Sequence, residues 1–287
     1  MEKRSLRLAI QKSGRLSEKS LELLKAAGVK IDNYSRQLLV KAQNFDLEIL
    51  FIRDDDIPEY VQDGVADIGI VGENEIFEAR KNLNIVEKLG FGKCRLSIAV
   101  PKHFKYDSIK DLEGKNIATS YPVILENFLS KSNINANVHK ISGAVEITPN
   151  IDLADAIFDI VSTGSTLVSN GLKEVEEVIK SEAVLVSNKN LSEAKKAMLD
   201  QILFRIRSVN LAKNNKYILL NAPNDSLEKI TALLPGIKSP TILPLAMEGW
   251  SSVHTVIEED DFWERIENLK NAGAQGILVV PIEKMIV

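Results

Sequence analysis

Residues Ala154–Leu167 read ADAIFDIVSTGSTL. An apolar run carrying Asp155 and Asp159 breaks into Ser162, Thr163, Gly164, Ser165 and Thr166. A strand entering a loop of small hydroxyl residues can cup an anion. Backbone N–H groups and hydroxyls converge there, and a helix starting at the loop adds its positive N-terminal end. Glycine lets a phosphate approach the backbone closely. Asp155 and Asp159 lie four apart, which puts both on one face of a strand and nearly on one face of a helix. Two carboxylates before a phosphate cup suit sugar hydroxyls or a metal ion, so the stretch points to a sugar phosphate. The same residues also read as an ordinary strand, turn and helix cap.

Outward from this stretch, Ala66–Glu73 reads ADIGIVGE, about 88 residues earlier. A small residue, an acid, an apolar run and a polar glycine turn thus occur twice, a weak repeat that reads as two similar α/β lobes facing each other across a cleft. Leu6–Ile10 is a short strand entering the loop Gln11–Arg15, then a helix that stops at Gly28. Loops at the carboxyl ends of strands are where open α/β sheets bind ligands, so Lys12 and Arg15 supply positive charge at that edge. Leu47–Ile52 is the next strand, followed by RDDDIPEYVQDG. Pro58 suits the first turn of a helix and Gly64 its end, and Asp54, Asp55 and Asp56 favour its N-terminus. Arg53 sits at the same edge.

The strand Arg95–Val100 crosses into the second lobe. Ser108–Leu112 reads as a helix turn, Ile117–Thr119 as a strand, and Ser120-Tyr121-Pro122 as the start of a helix. Asn137–Ile141 is a strand, Ser142–Glu146 a loop, Gly171–Lys180 turn and helix, and Ala183–Val186 a returning strand. Leu191–Asn210 is a long amphipathic helix that packs back on the first lobe. Strands at Tyr217–Leu220, Thr241–Leu245, Val253–Ile257 and Ile277–Val280 follow. They alternate with helices Leu227–Leu234, capped by Asp225 or Ser226, and Asp261–Ala272, with Phe262, Trp263, Ile266 and Leu269 on one face. The order βαββαβ is ferredoxin-like, and with no catalytic-looking cluster its role is regulatory or in assembly.

The 287 residues carry a net charge of −4, so no basic surface argues for nucleic acid. The lone Cys94 excludes an internal disulfide and fits a reducing cytoplasm. The three histidines, His103, His139 and His254, have no metal-ligand spacing. No apolar run reaches the roughly 18 residues that span a membrane. The basic N-terminus MEKRSLRLAIQKSGR is no signal peptide, because its apolar run is too short.

Taken in order, QKSGRLS, RDDDIP, DIGIVGEN, CRLSIA, ATSYP, LADAIFDIVSTGSTL with NGL, LLPG with SPTILPLA, and PIEKM resemble the long form of the ATP phosphoribosyltransferase family over essentially the whole chain. The resemblance implies a two-lobed, periplasmic-binding-protein-like catalytic core and a C-terminal ferredoxin-like (ACT-like) domain. Lobe I would take residues 1–96 and 182–211. Lobe II, residues 97–181, would bind 5-phosphoribosyl 1-diphosphate, and residues 212–287 would be regulatory. The implied reaction joins N1 of ATP to C1′ of 5-phosphoribosyl 1-diphosphate with Mg²⁺ and releases pyrophosphate, the first step of histidine biosynthesis. No nucleophile with a paired base is seen, which fits a reaction with no covalent enzyme intermediate. Ser162, Thr163, Gly164, Ser165 and Thr166 would cradle the ribose 5-phosphate, and Asp155 and Asp159 would address ribose hydroxyls or the metal-bound substrate. Lys12, Arg15 and Arg53 would neutralise diphosphate or triphosphate, and Glu73 and Tyr121 would line the nucleotide site. Ser239 and Thr241 would contact histidine as feedback inhibitor, although the neighbouring MEGWSSV departs from the family pattern. The implied assembly is a homo-oligomer, dimer or hexamer. Two other readings are a non-catalytic two-lobed small-molecule sensor and a catalytic subunit that needs a separate regulatory partner.

Overall fold

In the computed structural model, residues 5–32, 37–234, 236 and 238–287 are described. Residues 1–4 of the basic N-terminus and Pro235 of the LLPG motif therefore lie outside the described residues. The chain opens as β1 (Leu6–Gln11), α1 (Arg15–Ala26), β2 (Leu39–Lys41), β3 (Leu47–Ile52), α2 (Ile57–Gln62), β4 (Ile68–Gly72), α3 (Glu73–Ala79) and β5 (Asn84–Lys88). It continues as β6 (Cys94–Pro101), β7 (Asn116–Thr119), α4 (Pro122–Lys131), β8 (Asn137–Lys140), β9 (Ala156–Val161), α5 (Ser165–Ser169) and β10 (Leu172–Ser181). It then returns through β11 (Ala183–Ser187) and α6 (Glu193–Lys213).

These strands form two sheets. The first has order β2-β3-β1-β4-β11-β5, the second β10-β6-β9-β7-β8. β1 runs parallel to both β3 and β4, and β7 parallel to both β8 and β9. The chain crosses between the sheets twice, after β5 and after β10. This is the two-lobed, periplasmic-binding-protein-like layout. The central strands are covered on both faces, so they read as continuous apolar runs rather than alternating ones. Leu8, Ala9 and Ile10 of β1, Ile68 and Ile70 of β4, and Val184 and Val186 of β11 are all buried. Gly69 lets α2 lie close on β4: a methyl at that position would stand 2.6 Å from Ile57 Cγ2.

Residues 172–180, expected as helix, are the strand β10, paired antiparallel with β6. Two register shifts, between Glu174 and Glu176 and between Glu177 and Ile179, explain the misreading. Each bulge breaks the period of two. The apolar positions Leu172, Val175, Val178 and Ile179 then fall at helical spacing, although Val175, Val178 and Ile179 pack on the second lobe's core. Val145 and Glu146, expected as the end of the loop from Ser142, open a 3₁₀ turn over Val145–Ile151.

The chain divides into two compact units, one ending at Leu199, the other formed by Asp200–Val287 with Ala26–Gly28. In the second, β12 (Asn215–Pro223), α7 (Leu227–Leu233), β13 (Thr241–Pro244), β14 (Trp250–Glu258), α8 (Glu259–Asn271) and β15 (Gln275–Pro281) follow one another. The sheet order β13-β14-β12-β15, antiparallel throughout, is the ferredoxin-like order. Its core holds Ile218, Leu220, Ile230, Phe262 and Leu269. Trp263 is not on that face. It is 63% exposed, because Phe262, Ile266 and Leu269 mark the buried stripe and Trp263 is rotated about 100° from Phe262. Ser226 makes no capping side-chain bond to α7, which is led in instead by a 3₁₀ turn over Asn224–Ser226. Among the described residues no helix is long and apolar enough to cross a membrane.

Candidate active site

The Ser162–Thr166 loop hangs between two buried anchors, Val161 and Leu167. Gly164, at φ +79°, turns the chain from β9 into α5. Ser162, Thr163, Ser165 and Thr166 are exposed, and the Thr163 and Ser165 hydroxyls meet at 3.0 Å. α5 is only five residues long, so the cup rests on loop N–H groups and hydroxyls and gains little from a helix dipole. Arg95 on β6 holds the loop from behind: its Nη1 donates to the Ser162 carbonyl at 3.3 Å. The guanidinium is itself fixed by two 2.5 Å bonds to the Glu174 carboxylate. That contact holds the Glu174 carboxyl below its ordinary range.

The two aspartates of the opening stretch part company. Asp155 lies just before β9, where its Oδ2 accepts the Asn116 N–H at 2.9 Å and its own N–H donates to the Asn116 carbonyl at 2.8 Å. It ties β9 to β7 at the strand end away from the cup, about 13 Å along the strand from Asp159. Asp159 lies beside the cup. Its Oδ1 accepts the Ile160 N–H at 2.8 Å. Burial pushes its carboxyl up to about 6, with the Glu146 charge adding to the rise.

A cleft cavity of about 460 Å³ has Gln11, Arg15, Asp54, Glu75, Cys94 and Ser162 in its walls. It joins the loop after β1, the turn after β3 and the start of α3 to the end of β9. Gln11 Nε2 donates to Asp54 Oδ2 at 3.0 Å. Lys12 and Arg15 are exposed at this edge. Arg53 is exposed too, and its guanidinium makes a two-point contact with Asp55 at 3.0 and 2.9 Å. Glu73 faces Lys88 at 3.5 Å and lines an adjoining cavity of about 670 Å³ with Lys93, Arg95 and Lys180.

Two positions on from Glu73, Glu75 is buried inside the cleft. Tyr121, at the start of α4, donates its hydroxyl to Glu75 Oε1 at 2.9 Å, and Asn74 Nδ2 donates to the same oxygen at 2.8 Å. Asn74 is held in turn by the Ser181 hydroxyl, which donates to its Oδ1 at 2.8 Å. Burial raises the Glu75 carboxyl to about 7, against the Tyr121 hydrogen bond that lowers it, with Asp54, Asp55 and Glu78 adding to the rise. Burial likewise raises the Tyr121 hydroxyl and the Cys94 thiol. The lobes meet at this point. Glu78 accepts the Val123 and Ile124 N–H groups of α4, each at 3.0 Å.

Sequence reasoning missed Gln11, Asp54, Glu75, Cys94 and Arg95 as site residues. All five lie inside or beside the motifs read from the sequence, so the segments were legible and the inward-facing member of each was not. Among the described residues no group of three or more His, Cys, Asp or Glu is arranged to hold a metal. In the second unit, Ser239 and Thr241 are exposed at and just before the edge strand β13.

A family model described as ATP phosphoribosyltransferase matches residues 53–208, and one described as HisG, C-terminal domain, matches residues 212–284. The chain belongs to the ATP phosphoribosyltransferase family. The curated ATP phosphoribosyltransferase of Bacteroides thetaiotaomicron is 59% identical over 282 residues, 98% of this chain and 100% of that one. The Cytophaga hutchinsonii ATP phosphoribosyltransferase is 58% identical over 281 residues, 98% of either chain. Among solved structures, the ATP phosphoribosyl transferase (HisG:HisZ) complex from Thermotoga maritima matches with TM-score 0.63 and 29% identity, over 71% of this chain and 97% of that chain. ATP phosphoribosyltransferase is a glycosyltransferase of histidine biosynthesis, and family membership favours the transferase reading over the sensor reading.

Proposed function

We propose that the cleft between the two lobes transfers the phosphoribosyl group of 5-phosphoribosyl 1-diphosphate to N1 of ATP and releases pyrophosphate. The observation that supports this reading is the loop of exposed hydroxyls, Ser162–Thr166, whose first residue, Ser162, lines the same cavity as Arg15, Asp54 and Glu75. The cup would take the ribose 5-phosphate through N–H and hydroxyl donors. Asp159, beside it, would face the ribose as positive charge builds on the sugar ring in the transition state. Lys12 and Arg15 would neutralise diphosphate or triphosphate oxygens, and Arg53 would do so by exchanging Asp55 for phosphate. Tyr121 and Glu73 would line the nucleotide site. Asp155, tied to Asn116, would act on the site by fixing β9 rather than by touching substrate.

Mg²⁺ would neutralise the leaving diphosphate. No three-carboxylate cage exists among the described residues, which suits an ion held mainly by substrate oxygens and water with one or two protein carboxylates. The ferredoxin-like domain, residues 212–287, would bind histidine near Ser239 and Thr241 and inhibit the core. Residues 1–96 with 182–211 and residues 97–181 would act as the two catalytic lobes. The Thermotoga maritima enzyme was solved as a HisG:HisZ complex; this chain carries its own C-terminal domain, so regulation would sit within a homo-oligomer of the chain, working in the cytoplasm.

Incubation of the purified chain with ATP, 5-phosphoribosyl 1-diphosphate and Mg²⁺, followed by adduct ultraviolet absorbance, tests the reading. Product suppressed by histidine supports core and C-terminal assignments together. Product without suppression removes the regulatory assignment, and no product removes the transferase.

A further inference from the structure

Alkylation of an adenine at N1 leaves the ring positively charged and makes its exocyclic amino group an acid. A neutral product requires that one amino proton leave. The cleft holds one buried group suited to take it. Glu75 lines the cavity, and the two hydrogen bonds that fix it both land on Oε1. Oε2 is then the oxygen left for an incoming donor. Among the described residues Glu75 has no cation at ion-pair distance, so no ion pair competes for Oε2.

We propose that Glu75 is the proton acceptor of the reaction, taking the proton that the adenine amino group gives up as N1 bonds to C1′. The proposal rests on the phosphoribosyl-transfer reading. The N1 lone pair forms the new bond to C1′, and the C1′–O bond breaks with its electron pair leaving on the diphosphate. One N6–H bond then breaks, its pair staying on the adenine and its proton passing to the Glu75 carboxylate. After product leaves, the carboxylic acid returns the proton to water.

The groups facing Glu75 fix how it responds to pH. Asp54 and Asp55 lie on the turn after β3, and Glu78 on its own helix; all three are acids that favour its neutral form. Tyr121, from α4, favours its charged form by hydrogen bonding. Cys94, from β6, stays a neutral thiol because burial raises it. Arg15 and Lys93 line the same cavity without pairing to it. A base must be ionised to act, so kcat/KM should fall on the acid side with a midpoint near the Glu75 value of about 7.

The test is the pH profile of kcat/KM for ATP in the full chain and three variants. Tyr121→Phe removes the bond that lowers the carboxyl, so its acid limb should move to higher pH. Asp54→Asn removes a like charge, so its limb should move to lower pH. Glu75→Gln should lose that limb and about a hundredfold or more in kcat, while calorimetric binding of 5-phosphoribosyl 1-diphosphate stays within about threefold. Opposite shifts in the first two variants support the proposal even if Glu75→Gln folds poorly. A folded Glu75→Gln that keeps rate and limb, or a limb unmoved in both other variants, overturns the proton-acceptor role and leaves the transferase reading intact. A wild-type chain that makes no adduct overturns both.

Discussion

Asp159→Asn should stabilise the fold and slow the reaction. The carboxyl lies at about 6 in the folded chain against 3.8 as the ordinary value. A raised carboxyl means that the folded state binds the proton more tightly than the unfolded chain does. Stability therefore falls as pH rises through the window between these two values, and the cost is fully present above it. A shift of about 2 units corresponds to roughly 3 kcal/mol at 1.36 kcal/mol per unit. Asp159 is only half-buried, so water screens the charge and about 1–2 kcal/mol is the working magnitude. Asparagine keeps the size and an oxygen for the Ile160 N–H. At about pH 8 the variant should melt about 2–8 °C above wild type, and near pH 4.5 the gain should shrink towards zero. Turnover should fall about ten- to a hundredfold, the equivalent of about 1.4–2.8 kcal/mol of lost stabilisation of the sugar cation. Thermal unfolding without substrate and steady-state adduct formation measure the two effects separately. A variant less stable than wild type at pH 8 would refute the buried-charge argument, and one with unchanged turnover would refute the role at the ribose.

Glu78→Ala leaves two N–H groups of the first turn of α4 without their carboxylate; the loss should be about 1–3 kcal/mol, read as a fall in melting temperature, with Glu78→Gln losing less because one acceptor remains. Gly69→Ala drives a methyl against Ile57 and Val61 and should destabilise by about 1–3 kcal/mol in chemical denaturation; a neutral result would mean that α2 shifts freely on β4. Arg95→Lys keeps a charge but cannot grip Glu174 and the Ser162 carbonyl together. It should raise KM for 5-phosphoribosyl 1-diphosphate several-fold with KM for ATP little changed, and equal rises in both would point to general loosening.

Legibility in the sequence followed period. β1, β4 and β11 carry near-continuous apolar runs because both faces are covered, and α1 carries one apolar stripe, so each declared itself. β10 did not, because its bulges gave a half-buried, Glu- and Lys-rich strand the spacing of a helix. Tertiary pairing with β6 overrode that local pattern. The five-residue α5 could not be told from a longer helix, because the stop lies in the turn Asn170–Gly171 and nothing before it breaks the pattern. At the proposed site, the turn through Gly164 was legible because hydroxyl residues around a glycine mark the end of a strand without any partner. The bonds of Asp155 were not, because a period of two puts it on the same face as Asp159 but is silent on the tie it makes to Asn116 of the neighbouring strand.

The choice between Glu73 and Glu75 turns on the same difficulty. Two positions on a helix are about 200° apart, so the two acids face different walls, Glu73 the cavity it shares with Lys88 and Glu75 the one it shares with Asp54. Only the start of α3 at Glu73, set by the extended Gly72, settles which. Once Glu75 is turned inward, it and Asp159 are the two carboxylates that burial raises, and neither has a cation paired to it among the described residues. A site built to hold a substrate cation permanently would pair such acids with arginine or lysine. Here Glu75 is buried and Asp159 half-buried, where an opposite charge is worth more than in water. On the proposed reading, the ribosyl cation and the alkylated adenine would supply that charge only while the reaction runs. Stabilisation would then be directed at the transition state and the first-formed product rather than at neutral ribose or adenine, which is where binding energy accelerates a reaction. The stability given up by holding one buried and one half-buried acid without a cation would then be part of how the cleft works, and Asp159→Asn, recovering stability as it loses rate, would show the exchange directly.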